Sequence, residues 1–424
     1  MLFKKSILSV SLGLALFGLQ SVTAHADAAK PYAGQTINVL LPPWGTLSKA
    51  MVDKFKADTG ISVSMQTLGW DEIRAKIVTS MVSGNAPADV TEVDWSWVGQ
   101  FGAAKWYAPL DGKIDPKVVA DIASTKIFTF HGKTIAIPYN NDFRLLIVNK
   151  AHFDKAGIKV MPKTMDQLLA AARAIKKANI SSAPIALPLS ASEGTATAWY
   201  LLTKAYGGNL FTNDFKPLFK DKNSPGYKAL AFEISALKEG LIDPASTGLT
   251  DVQVQETFKA GKASIDLAGW AGNLAVYNDA SKSKVAGSVV GAVMPNVKGV
   301  SKSIGLPEAL GVPANAAHKE AAFAFINWWM KPENQVQVYN ELSDLPTRAT
   351  VLQKLTNDGK LVSGLALVEQ YKGVEPLFPQ GTPNWYPELS RAASSAINQA
   401  AKGQLTVDQA VAQIADQVTQ AMKQ

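Results

Sequence analysis

Between Gln35 and Asp94 the chain alternates between strand patterns and helix patterns, and this alternation restricts the possible fold more than any other feature. The strand-like runs are TINVLL, ISVSMQTL and ADVTEVD, and the amphipathic helix-like runs between them are LSKAMVDKFKADTG and WDEIRAKIVTSMVSG. A strand–helix–strand order of this kind predicts an open sheet covered by helices. We therefore expect an α/β fold.

Strand and helix patterns resume in the second half of the chain. A helix is expected after Thr164, because Thr164 and Gln167 have the spacing of a capping box. The further segments are the strands APIALPL, ASIDLAG, VVGAVMP and EALGVP and the helices ATAWYLLTKAYGG, YKALAFEISALKEG, VQVQETFKAGK, KEAAFAFINWWMK and TVDQAVAQIADQVTQAMK. At 424 residues the chain is too long for one ordinary core, so we expect two or three domains.

The N-terminus has the pattern of a secretory signal. Lys4 and Lys5 precede an apolar run from Ile7 to Leu19, and Ala24-His25-Ala26 forms a small-x-small cleavage pattern. A membrane anchor is the alternative, but the run is shorter than the roughly 20 residues that a spanning helix needs. We predict that residues 1–26 are a signal peptide cut after Ala26.

The chain contains no cysteine, so its fold needs no disulfide and no thiol near the cleavage site can carry a lipid. A freely diffusing periplasmic protein without a lipid anchor is the expected form. Loss of Lys4 and Lys5 reduces the formal net charge from +7 to +5. Few of the basic residues are arginine, which disfavours recognition of phosphate or nucleic acid, where the planar guanidinium is preferred.

Motifs of the common enzyme classes are absent from the sequence. It has no GxSxG, GxGxxG, P-loop or HExxH pattern, and His131, His152 and His318 lack metal-ligand spacing. Glu92 and Asp94 share one face of a strand and could imitate an acid/base pair, although no second catalytic signature accompanies them. We expect no catalytic residues, no metal site and no cofactor.

Seven stretches, in order and spacing, resemble the family 1 extracellular solute-binding proteins of ABC importers, chiefly the sugar-binding members. They are FKADTGISV, APADVTEVDWSWVGQFGAAKWYAPLD, IAIPYNNDFRLLIVNKAHFDKAGI, PKTMDQLLAAARAIKKA, TFKAGKASIDLAGW, KEAAFAFINWWMKPENQ and LPTRATV. The resemblance implies a type II periplasmic binding protein fold, with two α/β lobes joined by three hinge crossings and a solute between them. The chain departs from many relatives at Gly269-Trp270-Ala271-Gly272 and at Gly305-Leu306-Pro307-Glu308.

This resemblance also implies the domain boundaries. We expect one lobe from 27–140 and 302–343, and the other from 141–301 and 344–424. The polar segment from Tyr139 to Arg144 would be the first crossing, although its Asn and Asp residues could simply form a turn.

Aromatic and acidic residues follow the predicted strands, where ligands of open α/β sheets bind. A sugar presents flat C–H faces and a rim of hydroxyls, so its site needs aromatic rings and carboxylates or amides. The predicted ligand-binding residues are Trp44, Trp70, Asp94, Trp95, Tyr139, Asn141, Asp142, Glu193, Trp199, Trp270 and Glu308.

Some of these residues have a structural alternative. Trp199 could belong to a core, Trp70 could staple the start of its own helix, and Asp94 could serve as a cap. We expect Trp328 and Trp329 to pack in a core and Arg144 to pair with an acid.

The leading interpretation is a monomeric periplasmic receptor that binds a neutral sugar or small oligosaccharide and passes it to the membrane subunits of an ABC importer. The same fold could instead bind a charged solute such as an amino sugar, a polyamine or a sugar phosphate, of which the scarcity of arginine disfavours the phosphate. An alternative from another class is a secreted carbohydrate-active enzyme that uses Asp94 and Asp142.

Overall fold

The computed structural model describes residues 30–297 and 301–423. The predicted signal peptide lies outside these residues. The strands are β1 (Thr36–Leu41), β2 (Ser62–Thr67), β3 (Val90–Asp94), β4 (Thr129–Phe130), β5 (Lys133–Thr134), β6 (Ile137–Asn140), β7 (Leu146–Asn149), β8 (Ile185–Ala186), β9 (Ile265–Asp266), β10 (Val289–Ala292), β11 (Ser303–Ile304), β12 (Glu308–Gly311) and β13 (Val374–Glu375). The α-helices are α1 (Lys49–Thr59), α2 (Trp70–Val82), α3 (Val98–Ala103), α4 (Pro116–Ala120), α5 (Lys150–Lys155), α6 (Met165–Lys177), α7 (Glu193–Ala205), α8 (Pro225–Lys238), α9 (Asp251–Lys259), α10 (Asn273–Asn278), α11 (Lys319–Trp329), α12 (Pro332–Leu342), α13 (Ala349–Asn357), α14 (Gly364–Lys372), α15 (Tyr386–Ala401) and α16 (Val407–Ala421).

A five-stranded sheet in the order β2-β1-β3-β12-β6 forms the centre of the first lobe. Strand β1 is parallel to β2 and β3, and β12 is antiparallel to β3 and β6. Helix α1 is defined by local signals: the Ser48 hydroxyl accepts a hydrogen bond from the Met51 amide, and the helix ends at Gly60 in the left-handed region. The predicted strands and helices between Gln35 and Asp94 are confirmed.

The second lobe contains a four-stranded sheet in the order β10-β7-β9-β8. Strand β7 is antiparallel to both neighbours, β10 and β9, and β8 is parallel to β9. The strand predicted from APIALPL is much shorter than its apolar run, since only Ile185 and Ala186 pair as β8. Helices α7, α8, α15 and α16 pack together beside this sheet.

Segment 141–145 lies at the first expected crossing between the lobes and is hydrogen-bonded to two other segments, 304–307 and 343–347, that lie near the other expected crossings. The Asn141 amide donates to the Leu345 carbonyl at 3.0 Å, and the Leu306 amide donates to the Asp142 carbonyl at 2.9 Å. The Asn141 side chain donates to the Pro346 carbonyl at 3.2 Å. These bonds hold Asp142, Glu308 and Asp344 at the junction of the lobes.

No helix in the described ranges is long and apolar enough to cross a lipid bilayer.

Candidate ligand-binding site

Asp94, at the end of β3, and Glu308, at the start of β12, lie side by side on neighbouring strands of the first sheet. Glu308 on β12 is opposite Asp94 on β3 and Asn140 on β6, and directly opposed residues of antiparallel strands share a face. The Trp44 indole donates to Glu308 Oε1 at 2.7 Å, and Asn140 Nδ2 donates to Oε2 at 2.9 Å. Strand pairing thus brings together Trp44 and Glu308, predicted site residues 264 positions apart.

Asp94 has both a capping role and a contact with a predicted site tryptophan. Its Oδ1 accepts hydrogen bonds from the amide and the hydroxyl of Ser96, and Asp94 thereby caps the short 3₁₀ turn Trp95–Trp97. Its Oδ2 accepts from the Trp70 indole at 3.2 Å. The Trp70 ring packs against Trp97, with a centroid distance of 5.1 Å. The capping alternative is therefore present, and Trp70 and Asp94 also lie together.

Glu92 adds a third carboxylate beneath this pair. It is fully buried, and among the described residues neither of its carboxylate oxygens has a hydrogen-bond partner by distance and angle. Oxygens of Glu92, Asp94 and Glu308 lie within 4.8 Å of one another, a donor set that could hold a metal ion. The expectation of no metal site stays a prediction.

The first crossing places Asp142 beside Arg144. Asp142 Oδ2 lies 3.4 Å from Arg144 Nη2, which confirms that Arg144 pairs with an acid. Arg144 Nη1 also donates to the Ala268 carbonyl at 2.7 Å, and its guanidinium lies 5.2 Å from the ring centroid of Trp270. Within the described ranges, Asp142 Oδ1, the Trp270 indole nitrogen and Asp344 Oδ2 are buried without a hydrogen-bond partner.

Burial shifts the titration of these carboxylates. It is the largest of the effects that raise the pKa of Glu308 to about 8, and the charges of Asp142 and Asp94 contribute to the rise against the opposing effect of the Asn140 hydrogen bond. Burial likewise raises the pKa of Asp94 to about 7 and that of Asp142 to about 6, the latter despite the attraction of Arg144. The pKa values of Glu92 and Asp344 are also well above their usual range, because burial and neighbouring carboxylates disfavour ionisation.

Tyr386 of α15 contacts both Glu193 and Trp95. Glu193 begins α7 and accepts hydrogen bonds from the Tyr386 and Ser390 hydroxyls of α15. The Tyr386 ring packs edge-on against Trp95, with centroids 4.8 Å apart. Burial raises the pKa of Glu193, and the charges of Asp251 and Asp71 add to this.

A cavity of about 370 Å³ lies next to Trp95. Its other walls include Ile127, Gly305, Glu375, Phe378 and Thr382. Close by, α3 touches the chain before α15, where a side chain on Gly99 would collide with the Thr382 carbonyl oxygen. The cavity is therefore enclosed by segments from distant parts of the sequence.

Three predicted site residues have structural contacts instead. Trp199 is fully buried and its indole donates to the Gly226 carbonyl at 2.8 Å, so the structure shows the core alternative for it. The Tyr139 ring packs edge-on against Trp329, and only its hydroxyl approaches the site, 3.5 Å from Glu308 Oε2. Asn141 uses its side chain to join two crossings.

Sequence analysis missed Asp344, Tyr386 and Ser390. Asp344 lies just before LPTRATV, one of the stretches that carry the family resemblance, so its position beside a crossing was a usable signal. Tyr386 and Ser390 carry no comparable local signal, because their site contacts depend on how α15 packs against α7.

Two lobes, three crossings and a polar, aromatic-lined junction define a binding protein of the two-lobe periplasmic class. The chain belongs to the bacterial extracellular solute-binding protein family, whose model matches residues 40–336.

Three similar proteins illustrate the relationship. The chain is 25% identical to the mannitol-binding protein of Pseudomonas aeruginosa over 391 residues, which cover 86% of this chain and 87% of that protein. A Thermotoga lettingae ABC transporter solute-binding protein, bound with α-D-tagatose, is 24% identical, with a TM-score of 0.79 and coverage of 92% and 100%. One from Agrobacterium radiobacter K84, in complex with ribitol, is 19% identical, with a TM-score of 0.79 and coverage of 93% and 99%. These structures confirm the predicted fold.

Proposed function

We propose that this protein captures a sugar, either a monosaccharide or a small oligosaccharide, between its lobes and delivers it to the membrane subunits of an ABC importer. The observation that carries the proposal is the meeting of carboxylates and indoles at the junction of the lobes. Trp44 contacts Glu308, Trp70 contacts Asp94, and Trp270 stacks on the guanidinium that pairs with Asp142. Carboxylates accept hydrogen bonds from sugar hydroxyls, and indole rings cover the apolar sugar faces.

Capture would occur by closure of the lobes about the three crossings. Contacts from both lobes to one solute can form together only in the closed state, so the solute shifts the population toward that state. The proposed lobes are 27–140 with 302–343 and 141–301 with 344–424. The mannitol, tagatose and ribitol bound by similar proteins are polyhydroxylated compounds, which supports a ligand of the same general kind.

The proposal extends to the form in which the protein acts. We propose export to the periplasm with cleavage after Ala26, no lipid anchor, a monomeric state, no binding of nucleic acid and no chemical change of the solute. The absence of cysteine supports the lack of a lipid anchor, and the scarcity of arginine supports the lack of nucleic-acid binding. The hydrogen bonds on both oxygens of Asp94 and the ion pair of Asp142 favour fixed carboxylates over an acid and base that exchange protons.

A thermal-shift screen tests this function. The protein is freed of carried-over solute by unfolding and refolding, and is then melted against a library of sugars, sugar alcohols and amino acids. A sugar present at about 100 times its dissociation constant should add roughly 2.7 kcal/mol to the free energy of unfolding. Stabilisation by amino acids alone would contradict the proposal, and release of products from a bound glycoside would contradict the absence of turnover.

A further inference from the structure

We propose that the sugar held in this cleft carries a protonated amine, as an amino sugar or an aminodeoxy sugar alcohol does; this inference rests on the proposed function. Five carboxylates converge at the junction of the lobes: Glu92, Asp94, Asp142, Glu308 and Asp344. Each is linked to another by geometry or by electrostatic interaction. The cleft therefore concentrates carboxyl oxygens where a ligand would sit.

Among the described residues, Arg144 is the cation paired with this group, and both of its terminal nitrogens have partners while its Nε is buried without one. It forms the ion pair with Asp142, donates to the Ala268 carbonyl and lies against the ring of Trp270. The donors found on Asp94 and Glu308 are the neutral groups of Trp70, Ser96, Trp44, Asn140 and Tyr139. All of these donors are neutral, so within the described residues neither of these two carboxyl groups is paired with a cation.

Two buried side chains in the group lack expected partners. Glu92 is fully buried, and neither of its oxygens has a partner in hydrogen-bond geometry, although the nearby Tyr139 hydroxyl interacts with it. Among the residues that the structure describes, Asp344 is nearly as buried and its Oδ2 is unbonded. The charge of Glu308 acts on both. A buried acceptor without a donor is costly, so these oxygens have unused capacity for a hydrogen-bond donor such as a protonated amine.

A protonated amine supplies what a hydroxyl does not. It brings a positive charge and three N–H donors, whereas a hydroxyl brings one donor and no charge. The indoles of Trp44 and Trp70, each bonded to one of these carboxylates, add faces that attract a cation. The polyhydroxyl part of the same ligand would occupy the positions already proposed for sugar binding.

Matched pairs of compounds that differ by one amine test the inference by titration calorimetry at pH 7.5. The probes are D-glucosamine with D-glucose, D-galactosamine with D-galactose, D-mannosamine with D-mannose, and D-glucamine with D-glucitol. We expect at least one amine to bind about 10-fold or more tightly than its neutral partner. The N-acetylated form of that amine, which has lost the charge, should lose this advantage.

Glu308→Gln should reduce the preference for the amine by about 10-fold or more, because it replaces a carboxyl oxygen that can accept from the amine with an amide nitrogen that cannot, while keeping the side-chain shape. Glu320→Gln is the matched control and should leave the preference unchanged. Glu320 lies on α11, is exposed and pairs with Lys113. Thermal melts verify folding, and Asp344→Asn serves as the second variant if Glu308→Gln does not fold.

Other outcomes separate this inference from the proposed function. Neutral partners that bind as tightly as the amines, or tighter, would overturn the inference and leave sugar capture standing. Binding of Ca²⁺ alone without any preference for an amine would also overturn it. If no compound of the set and no sugar of the wider library binds, both the inference and the sugar proposal are wrong.

Discussion

Replacing Asp142 by Asn separates a ligand contact from a turn-forming role. Asp142 Oδ2 pairs with Arg144 at 3.4 Å, whereas Oδ1 is buried and has no donor among the described residues. The main-chain carbonyl of Asp142 already accepts from Leu306, and this bond does not depend on the side chain. Asn keeps the size and turn propensity of Asp but removes its charge.

The expected loss of affinity follows from the free oxygen. A hydrogen bond to a charged group contributes about 1.5–3 kcal/mol, so Asp142→Asn should weaken ligand binding on the order of 10-fold to 150-fold. Stability should change little. Burial raises the pKa of Asp142 from 3.8 to about 6, so its ionised form is disfavoured in the fold by up to roughly 3 kcal/mol. This cost is net of the attraction to Arg144, so the neutral Asn should not lower the free energy of unfolding.

Titration calorimetry with the sugar found in the thermal-shift screen, beside denaturant unfolding at pH 7.5, measures both quantities. Asp243→Asn is the matched control, because Asp243 caps an exposed turn by accepting from the Ala245 amide at 2.9 Å. The control should bind with unchanged affinity. Full affinity of Asp142→Asn together with a lowered free energy of unfolding would refute the reasoning and leave Asp142 as a turn former.

Three further predictions concern charge, core and closure. The ligand-free protein should lose stability as the pH rises from 5 to 8, because Asp94, Asp142 and Glu308 have higher pKa values in the folded state and unfolding therefore releases protons. The free energy of unfolding should fall by about 1.4 kcal/mol per pH unit for each proton released. Chemical denaturation that shows flat or rising stability over this range would contradict the prediction. Trp199→Ala should lower the free energy of unfolding by about 3–5 kcal/mol without changing ligand affinity, since Trp199 is fully buried. Lost affinity with intact stability would instead indicate that Trp199 contacts the ligand. Gly99→Ala should weaken ligand binding in calorimetry, because the added methyl group would collide with the Thr382 carbonyl where α3 touches the chain before α15. Gly248→Ala is the control, since a methyl group there meets nothing within 4 Å. Equal affinities of the two variants would show that the contact between Gly99 and Thr382 plays no part in closure.

The first lobe was predictable where each element carries its own signals. Helix α1 has a capping serine and a terminal glycine, and β1, β2 and β3 have short apolar runs between helices. The insertion of β12 between β3 and β6 was not predictable from such signals. That pairing joins residues more than 160 positions apart, and four residues of EALG look alike in a parallel or an antiparallel strand.

The sequence predicted the types of side chain in the candidate site better than it predicted which residues form the site. Trp44, Trp70, Asp94, Asp142 and Glu308 follow strands or lie at a crossing, and the structure brings them to the junction of the lobes. Trp199 could not be assigned from sequence, because nearly every residue of α7 is buried and its pattern has no polar face to show direction. Tyr386 reaches the site only through tertiary packing, because its contact with Glu193 depends on how α15 packs against α7.

Small-angle X-ray scattering with and without ligand tests the central claim, that a sugar is captured between two closing lobes. Ligand-free protein and protein saturated with the sugar from the thermal-shift screen are measured at the same concentrations. The account predicts a smaller radius of gyration for the saturated protein, because contacts from both lobes require a shut cleft. An unchanged radius of gyration, with saturation verified by calorimetry on the same samples, would contradict capture by closure.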